Sequence, residues 1–396
     1  MSIRLRILLA LLLGAPGVLL LLGAPGAPGR GTPAYVVADL GTLPGGADSV
    51  ASAINDRGQV AGIADAADGH TYAFRTSATG TLADPGADLG TLPGGADSQA
   101  ISINDRGQVV GQASAAGGAL HAFRTSATGT LAAPGADLGI LPGGGASMAF
   151  AINDCGQVVG DALAADGHDH AFRTSATGTL ADPGADLGTL PGYRDGRAVG
   201  INDRGQVAGF AEPAYPRPLP ALDRARVFRT SATGTLGDPG ADLGTLPGYR
   251  ASKATAINDR GQVVGYALAA HGPLHAFRTS ATGTLGDLGT DLGGLPNAPD
   301  SWALAINNRG QVVGFAFDSA DPDLDHQTAF LYDAAATPPL RDLNTLIPAG
   351  SGVALDEAVG INDAGQIAAT GTVAGQRHAF RLTPLGLARP AATPTR

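Results

Sequence analysis

The chain has 396 residues, room for two or three average domains or one large all-β domain. Hydrophobic residues make up 44%, enough for a sizeable core, while 60 Gly and 27 Pro stop short of the fraction that marks a disordered chain. A net charge of −10, with Lys253 the sole lysine, argues against a nucleic-acid-binding surface, which needs clustered cations to meet phosphates.

The amino terminus reads MSIRLRILLALLLGAPGVLLLLGAPGAPG. Arg4 and Arg6 precede an apolar run broken by Gly14 and Pro16, and small residues follow at Gly23, Ala24 and Ala27. This is the order of a secretory signal, so residues 1–30 are expected to direct export and be removed. The alternative is an uncleaved anchor, but the run is near the lower spanning limit of roughly 17 residues and Pro16 interrupts it. The expected location is extracellular or periplasmic, with no stable membrane insertion after cleavage. The only cysteine, Cys155, cannot form an intramolecular disulfide, so an exported chain must hold together through packing or a closed architecture.

From residue 35 onward the chain repeats itself. An Ile-Asn landmark falls at Asn55, Asn104, Asn153, Asn202, Asn258, Asn307 and Asn362. Asp-Leu begins at Asp39, Asp88, Asp137, Asp186, Asp242, Asp291 and Asp342, and a Phe recurs at Phe74, Phe123, Phe172, Phe228, Phe277, Phe330 and Phe380. Seven of each in constant order, mostly 49 residues apart, define seven units. Each unit reads as four short strands: AxAIN, then QVVGxA, then HAFRTS, then TLxxxADLG. No window carries the helical period over the length a helix needs. Four strands in roughly 50 residues is the pattern of a kelch-type propeller blade. The expected fold is therefore all-β, a seven-bladed β-propeller of four-stranded antiparallel blades spanning residues 35–383.

The phase of the repeat predicts how the ring closes. The first strand, Tyr35–Gly41, matches the fourth strand of a unit, whereas the last unit stops after its third strand and trails into ARPAATPTR. The amino-terminal strand is thus expected to complete the last blade and remove the open sheet edges. Residues 384–396 are expected to be a disordered tail. Between the first two strands, Asn-Asp-x-Gly-Gln reads as a structural turn. Gly58, Gly107, Gly156, Gly205, Gly261, Gly310 and Gly365 supply positive φ, and Asn and Asp bond the local backbone. The variable third position, Cys155 in one unit and Ala364 in another, reads as an exposed turn residue.

Asp-Leu-Gly, Ile-Asn-Asp-x-Gly-Gln-Val-Val-Gly and His-Ala-Phe together resemble the HAF repeat family of extracellular bacterial proteins. His-Ala-Phe stands at 121–123, 170–172, 275–277 and 378–380, while Tyr72, Arg226 and Thr328 replace the His in other units. LPGG also departs from the family's usual Leu-Gly-Gly. The resemblance implies export and a repeat architecture, and it implies no reaction and no catalytic residues.

Chemistry-bearing motifs are sparse. The strand histidines are two residues from Phe and face the same side, which points to packing between blades. The run at 167–170, GHDH, lacks the converging set a metal ion needs. DPDLDH, Asp321–His326, resembles the start of a calcium loop but lacks the Gly and Glu such a loop requires, so it reads as a solvated acidic loop. No nucleophile-elbow, zinc-protease or phosphate-loop motif occurs, and no catalytic, cofactor or metal residues are expected.

The insertions carry more information. Unit four adds seven residues between Asn202 and Phe228, and unit six adds four between Asn307 and Phe330. Unit seven adds four between Asp342 and Asn362. Connections from second to third strand and from fourth to first share one end of the blades, so all three lengthen one face, where binding residues commonly ride. The candidate partner-binding residues are Tyr215, Arg217, Arg224 and Arg226 of unit four, with Asp321, Asp323 and Asp325 of unit six. The sequence thus reads as an exported, monomeric binding or surface-interaction module for a protein or glycan. The alternatives are a glycan-directed enzyme with its site on the same face, or a passive structural array.

Overall fold

Within each repeat, a β-branched run such as Val263–Ala269 forms a strand that pairs on one side with a small-residue strand, Tyr249–Ile257, and on the other with His275–Arg278. The computed structural model describes residues 34–213, 224–269, 272–287, 289–320 and 326–386. Seven antiparallel sheets built this way follow one another along the chain and form a seven-bladed propeller. The first strand of each blade is innermost and lines a central channel.

Packing explains the recurrent residues. All seven landmark phenylalanines are completely buried. Phe123, for example, packs with Ala61 and Ala73 of the preceding blade, so the aromatic ring fills the seam between sheets. Cross-strand from Phe277 stands Gly265, where a Cβ would lie 2.8 Å from the Phe277 ring and 2.0 Å from the Lys253 carbonyl oxygen. The glycine of Val-Val-Gly is thus the space into which the phenylalanine packs.

Ring closure follows the repeat phase. Tyr35–Asp39 pairs antiparallel with Gln376–Pro384, from Tyr35 opposite Pro384 to Asp39 opposite Phe380. That sheet therefore joins the first strand of the chain to the last three. The fourth strand is shorter than the repeat pattern suggests. In four blades only Asp-Leu-Gly pairs, as in Asp137–Gly139, in the sixth Leu340–Asp342 pairs, and in the first blade the pairing shrinks to a single bridge between Phe74 and Asp88. The cause is local: the aspartate Oδ1 accepts the amide of the glycine two residues on, and Gly139 takes φ 70°, which turns the chain away.

The strand histidines have a different partner from the one expected. His121, His170, His275 and His378 bond the Asp-Leu aspartate of the adjacent fourth strand, with Nδ1 2.9–3.0 Å from Asp137, Asp186, Asp291 and Asp39. They clamp the outer edge of each blade, and the phenylalanines fill the seams. Among the described residues, no helix is long and apolar enough to cross a membrane.

Candidate functional site

The two ends of the channel are built differently. At the end formed by the Asn-Asp-x-Gly-Gln turns, each landmark asparagine does two jobs. Asn258 Oδ1 accepts the amides of Arg260 and Gln262 within its own turn, and Gly261 has φ 84°. Its Nδ2 donates to the carbonyl of Asn307 in the next blade. The same bond runs around all seven blades at 2.9–3.0 Å, and Asn362 closes the circle on Asn55. A second circle lies beside it. Each residue after the asparagine gives its amide to the side-chain oxygen of its counterpart in the next blade, at 2.7–2.8 Å. Six of these counterparts are aspartates and the seventh is Asn308, whose Nδ2 donates to Asp259 and Asp363. A further clasp is the arginine after the landmark phenylalanine. Arg75, Arg124, Arg173, Arg229, Arg278 and Arg381 each donate to the turn-glycine carbonyl of the next blade.

The turn is therefore structural, as its sequence suggests, and its polar side chains hold neighbouring blades together as well as shaping the turn. Crowded carboxylates have an electrostatic consequence. Burial, reinforced by Asp154, Asp56 and Asp203, pushes the Asp105 carboxyl up to about 6. Asp56 and Asp203 are raised for the same reasons, burial first.

A collar of seven isoleucines, Ile54 and its equivalents through Ile361, lines this vestibule and also the larger cavity beyond it. That cavity, about 440 Å³, extends along the innermost strands on the other side of the collar. Its wall is where the repeats differ. Five residues before the landmark asparagine stand Val50, Gln99, Met148, Arg197, Lys253, Trp302 and Glu357, a different residue in every blade. Eight residues after it stand Ile63, Gln112, Asp161, Phe210, Tyr266, Phe315 and Thr370. Val50, Gln99, Arg197, Trp302, Glu357, Ile63, Phe210, Tyr266 and Phe315 line the cavity itself, and the others stand on the equivalent strands behind it. In six of the blades the two positions are direct cross-strand partners that differ from blade to blade. Glu357 pairs likewise with Thr370.

These side chains interact across blade seams. Arg197 Nε donates to Asp161 of the preceding blade at 2.5 Å, and its guanidinium lies over Phe150 and Phe210. Lys253 Nζ donates to Glu212 and stands 4.5 Å from the Phe210 ring centre. At the next seam Tyr266 and Trp302 stack with centroids 4.1 Å apart and planes 7° from parallel. In the last blade Arg377 bridges Asp356 at 3.2 Å and Glu357 at 3.6 Å.

Burial sets the protonation of the charged groups in and behind this wall. It raises Asp161, with Arg197 working against it, and raises Glu357, with Arg377 working against it. It lowers Lys253, opposed by Glu212. For Arg197, burial pulls down, but Asp161, Glu212 and Asp169 together more than offset it, so this guanidinium stays charged. Among the described residues no cluster of three or more His, Cys, Asp or Glu is arranged to hold a metal ion.

Comparison with known proteins adds to the fold. A family model described as a protein of unknown function (DUF3466) matches residues 193–383. No curated protein matches the chain in sequence. The β-propeller domain of the trilobed protease from Pyrococcus furiosus is 10% identical, with a TM-score of 0.54 over 84% of this chain and 95% of that chain. The BP39L lectin from Burkholderia pseudomallei is 13% identical, with a TM-score of 0.46 over 84% of this chain and 95% of that one. The WD40 domain of Toxoplasma gondii coronin is 10% identical, with a TM-score of 0.46 over 89% and 87% of the two chains. At these identities the likeness is one of fold. The protease propeller has an open velcro topology, whereas here the terminal strands pair and close the ring.

Of the residues singled out in the sequence, Tyr215, Arg217, Asp321, Asp323 and Asp325 lie outside the described residues. Arg224 is exposed. Arg226 occupies the strand-histidine position and bonds Asp242 at 2.9 Å, in the same clamp that histidine makes in other blades. The channel residues were missed by reading the repeats for what they share. The signal was present in two columns of the repeat, five before and eight after the asparagine.

Proposed function

We propose that this protein is an exported binding module of the HAF repeat type that takes a ligand into its channel from the long-loop end. The observation that carries this reading is the distribution of differences among repeats. In a duplicated blade left to drift, exposed positions vary first. Here RTSATGTL is identical at 75–82, 124–131, 173–180, 229–236 and 278–285, and its Ser-Ala-Thr at 77–79 and 126–128 is exposed. The two channel-strand columns form a different pair in every blade and have acquired charged and aromatic side chains. A concave site with an aromatic wall and a few directed polar groups is the usual form of a small-ligand site. A passive structural array gives no reason for that divergence.

On this reading Tyr215, Arg217 and Arg224, with Asp321, Asp323 and Asp325, remain candidates for ligand contact, and the ring acts as a monomer. Export rests on the signal pattern of residues 1–30, which lie outside the described residues. A second reading, a glycan-directed enzyme, draws on Glu357, a cavity-lining carboxyl raised by burial that could serve as an acid. The experiment is a panel of glycans and other polymers presented to the secreted protein, scored for both binding and turnover. Binding lost in Arg197→Ala but kept in Asp203→Asn supports the channel. Binding kept in the first and lost in the second refutes it, and turnover abolished by Glu357→Gln selects the enzyme.

A further inference from the structure

We infer that the channel ligand is the end of a neutral carbohydrate chain, with a saccharide ring seated on the aromatic wall around Trp302. The inference rests on the channel being the binding site, and it follows from what the wall can and cannot accept.

Each cation here already has a carboxylate partner. Asp161 holds Arg197, Glu212 holds Lys253, and Asp356 and Glu357 share Arg377. An anionic ligand would have to break one of these pairs and leave a buried carboxylate uncompensated. A cationic ligand fares no better. The aromatic face of Phe210, which could attract it, already holds Lys253 at 4.5 Å and Arg197 at 5.8 Å. A purely apolar ligand would strip water from Arg197, Glu357 and Arg377 and return no hydrogen bonds.

A saccharide meets all three conditions. Its ring presents a flat face of polarised C–H groups, which suits the aromatic surface of Trp302 braced by Tyr266 and Phe315, the latter with its centroid 5.3 Å away. Its hydroxyls both donate and accept, and so can bond the Arg197 guanidinium and the Glu357 carboxylate without separating either from its partner. The isoleucine collar stands at the inner end of the cavity and offers no hydrogen bonds, so a chain entering from the loop end would present its terminus there.

Trp302 is the only tryptophan in the chain, so intrinsic tryptophan emission reports on this wall alone. The full exported chain is titrated with cellohexaose, maltohexaose, xylohexaose, mannohexaose and N-acetylchitohexaose. Hexagalacturonate and phenyltrimethylammonium are the charged probes, and α-cyclodextrin is a neutral saccharide without a chain end. Calorimetry repeats the titrations with Trp302→Ala, Trp302→Phe, Arg197→Ala and Asp203→Asn, each checked for folding by circular dichroism. The expected result is that at least one neutral hexasaccharide shifts the emission and binds, while the charged probes and the cyclodextrin do not. Trp302→Ala and Arg197→Ala should then lose about tenfold or more in affinity, the equivalent of one or two good contacts. Trp302→Phe should retain most of it and Asp203→Asn all of it. No response to any neutral saccharide overturns the saccharide assignment, and a charged probe that then binds in a Trp302-dependent way leaves the channel site standing. Cyclodextrin binding as tightly as maltohexaose overturns chain-end recognition. A hexasaccharide that binds equally well to wild type, Trp302→Ala and Arg197→Ala overturns the channel site itself.

Discussion

Replacing Asn258 by alanine tests the inter-blade clasp. The side chain is 5% exposed and makes four hydrogen bonds. It donates to Gln262 Oε1 at 2.9 Å and to the Asn307 carbonyl at 3.0 Å, and it accepts the amides of Arg260 at 3.1 Å and Gln262 at 3.0 Å. Each such bond contributes about 1 kcal/mol net, and a buried donor left without a partner costs about 1–3 kcal/mol. The Asn307 carbonyl keeps the Gly310 amide, and Arg260 is at the surface where water can reach its amide, so the full sum is not lost. The expected cost is about 3 kcal/mol, read as a lower urea midpoint at unchanged slope. In a domain this large, about 2 °C of melting temperature per kcal/mol gives a fall of roughly 6 °C. Arg260→Ala, in the same turn but exposed, should cost less than about 0.5 kcal/mol. A loss below about 1 kcal/mol for Asn258→Ala would refute the inter-blade role, because neither the turn bonds nor the bond to Asn307 would then stabilise the ring.

Three other outcomes follow from the geometry. Deleting residues 34–39 strips the partner from Gln376–Pro384 and exposes a sheet edge; the expected loss is at least about 3 kcal/mol in urea unfolding. Gly261→Val puts a β-branched residue at φ 84°, with its Cβ 2.9 Å from the Ala281 carbonyl oxygen, and should cost at least about 1 kcal/mol by the same measurement. Asp105 has its carboxyl raised to about 6, so the folded state holds its proton more tightly than the unfolded chain. Its contribution to stability is therefore present at low pH and is lost as pH rises from the unfolded value through about 6. Asp105→Asn keeps the acceptor for the Asp56 amide, as Asn308 does for Asp259, and should shrink the gain in stability between pH 7.5 and 5 seen in urea midpoints.

Much of the fold was legible because its causes are periodic. The landmarks recur at fixed spacing, and the chain begins with the strand its end lacks, so blade number and closure follow from counting. The asparagine's second role was not legible. Its Oδ1 bonds account for a turn by themselves, and the partner of its Nδ2 is the same residue one repeat later, which no local pattern reveals. The histidines were misplaced for a related reason. Alternation puts His121 and Phe123 on one side of a strand, but Asp137 in the neighbouring strand captures the imidazole. The channel wall was hidden differently, because a search for common features treats Val50, Gln99, Arg197 and Trp302 as noise. Only the ring, which brings those columns to one cavity, turns their variation into a signal.

The most direct test of the account is to fill the channel. Ser52 lines the cavity from the first blade, on the innermost strand three residues before Asn55. Ser52→Trp adds a bulky ring there and leaves the loop face and the turn face unaltered. Wild type and variant, both shown to be folded, are titrated calorimetrically with the panel compound that binds most tightly. The account predicts a loss of about tenfold or more in affinity, with Asp203→Asn on the opposite face binding as wild type. Full affinity in the folded, channel-filled protein would contradict it and move the binding site outside the ring.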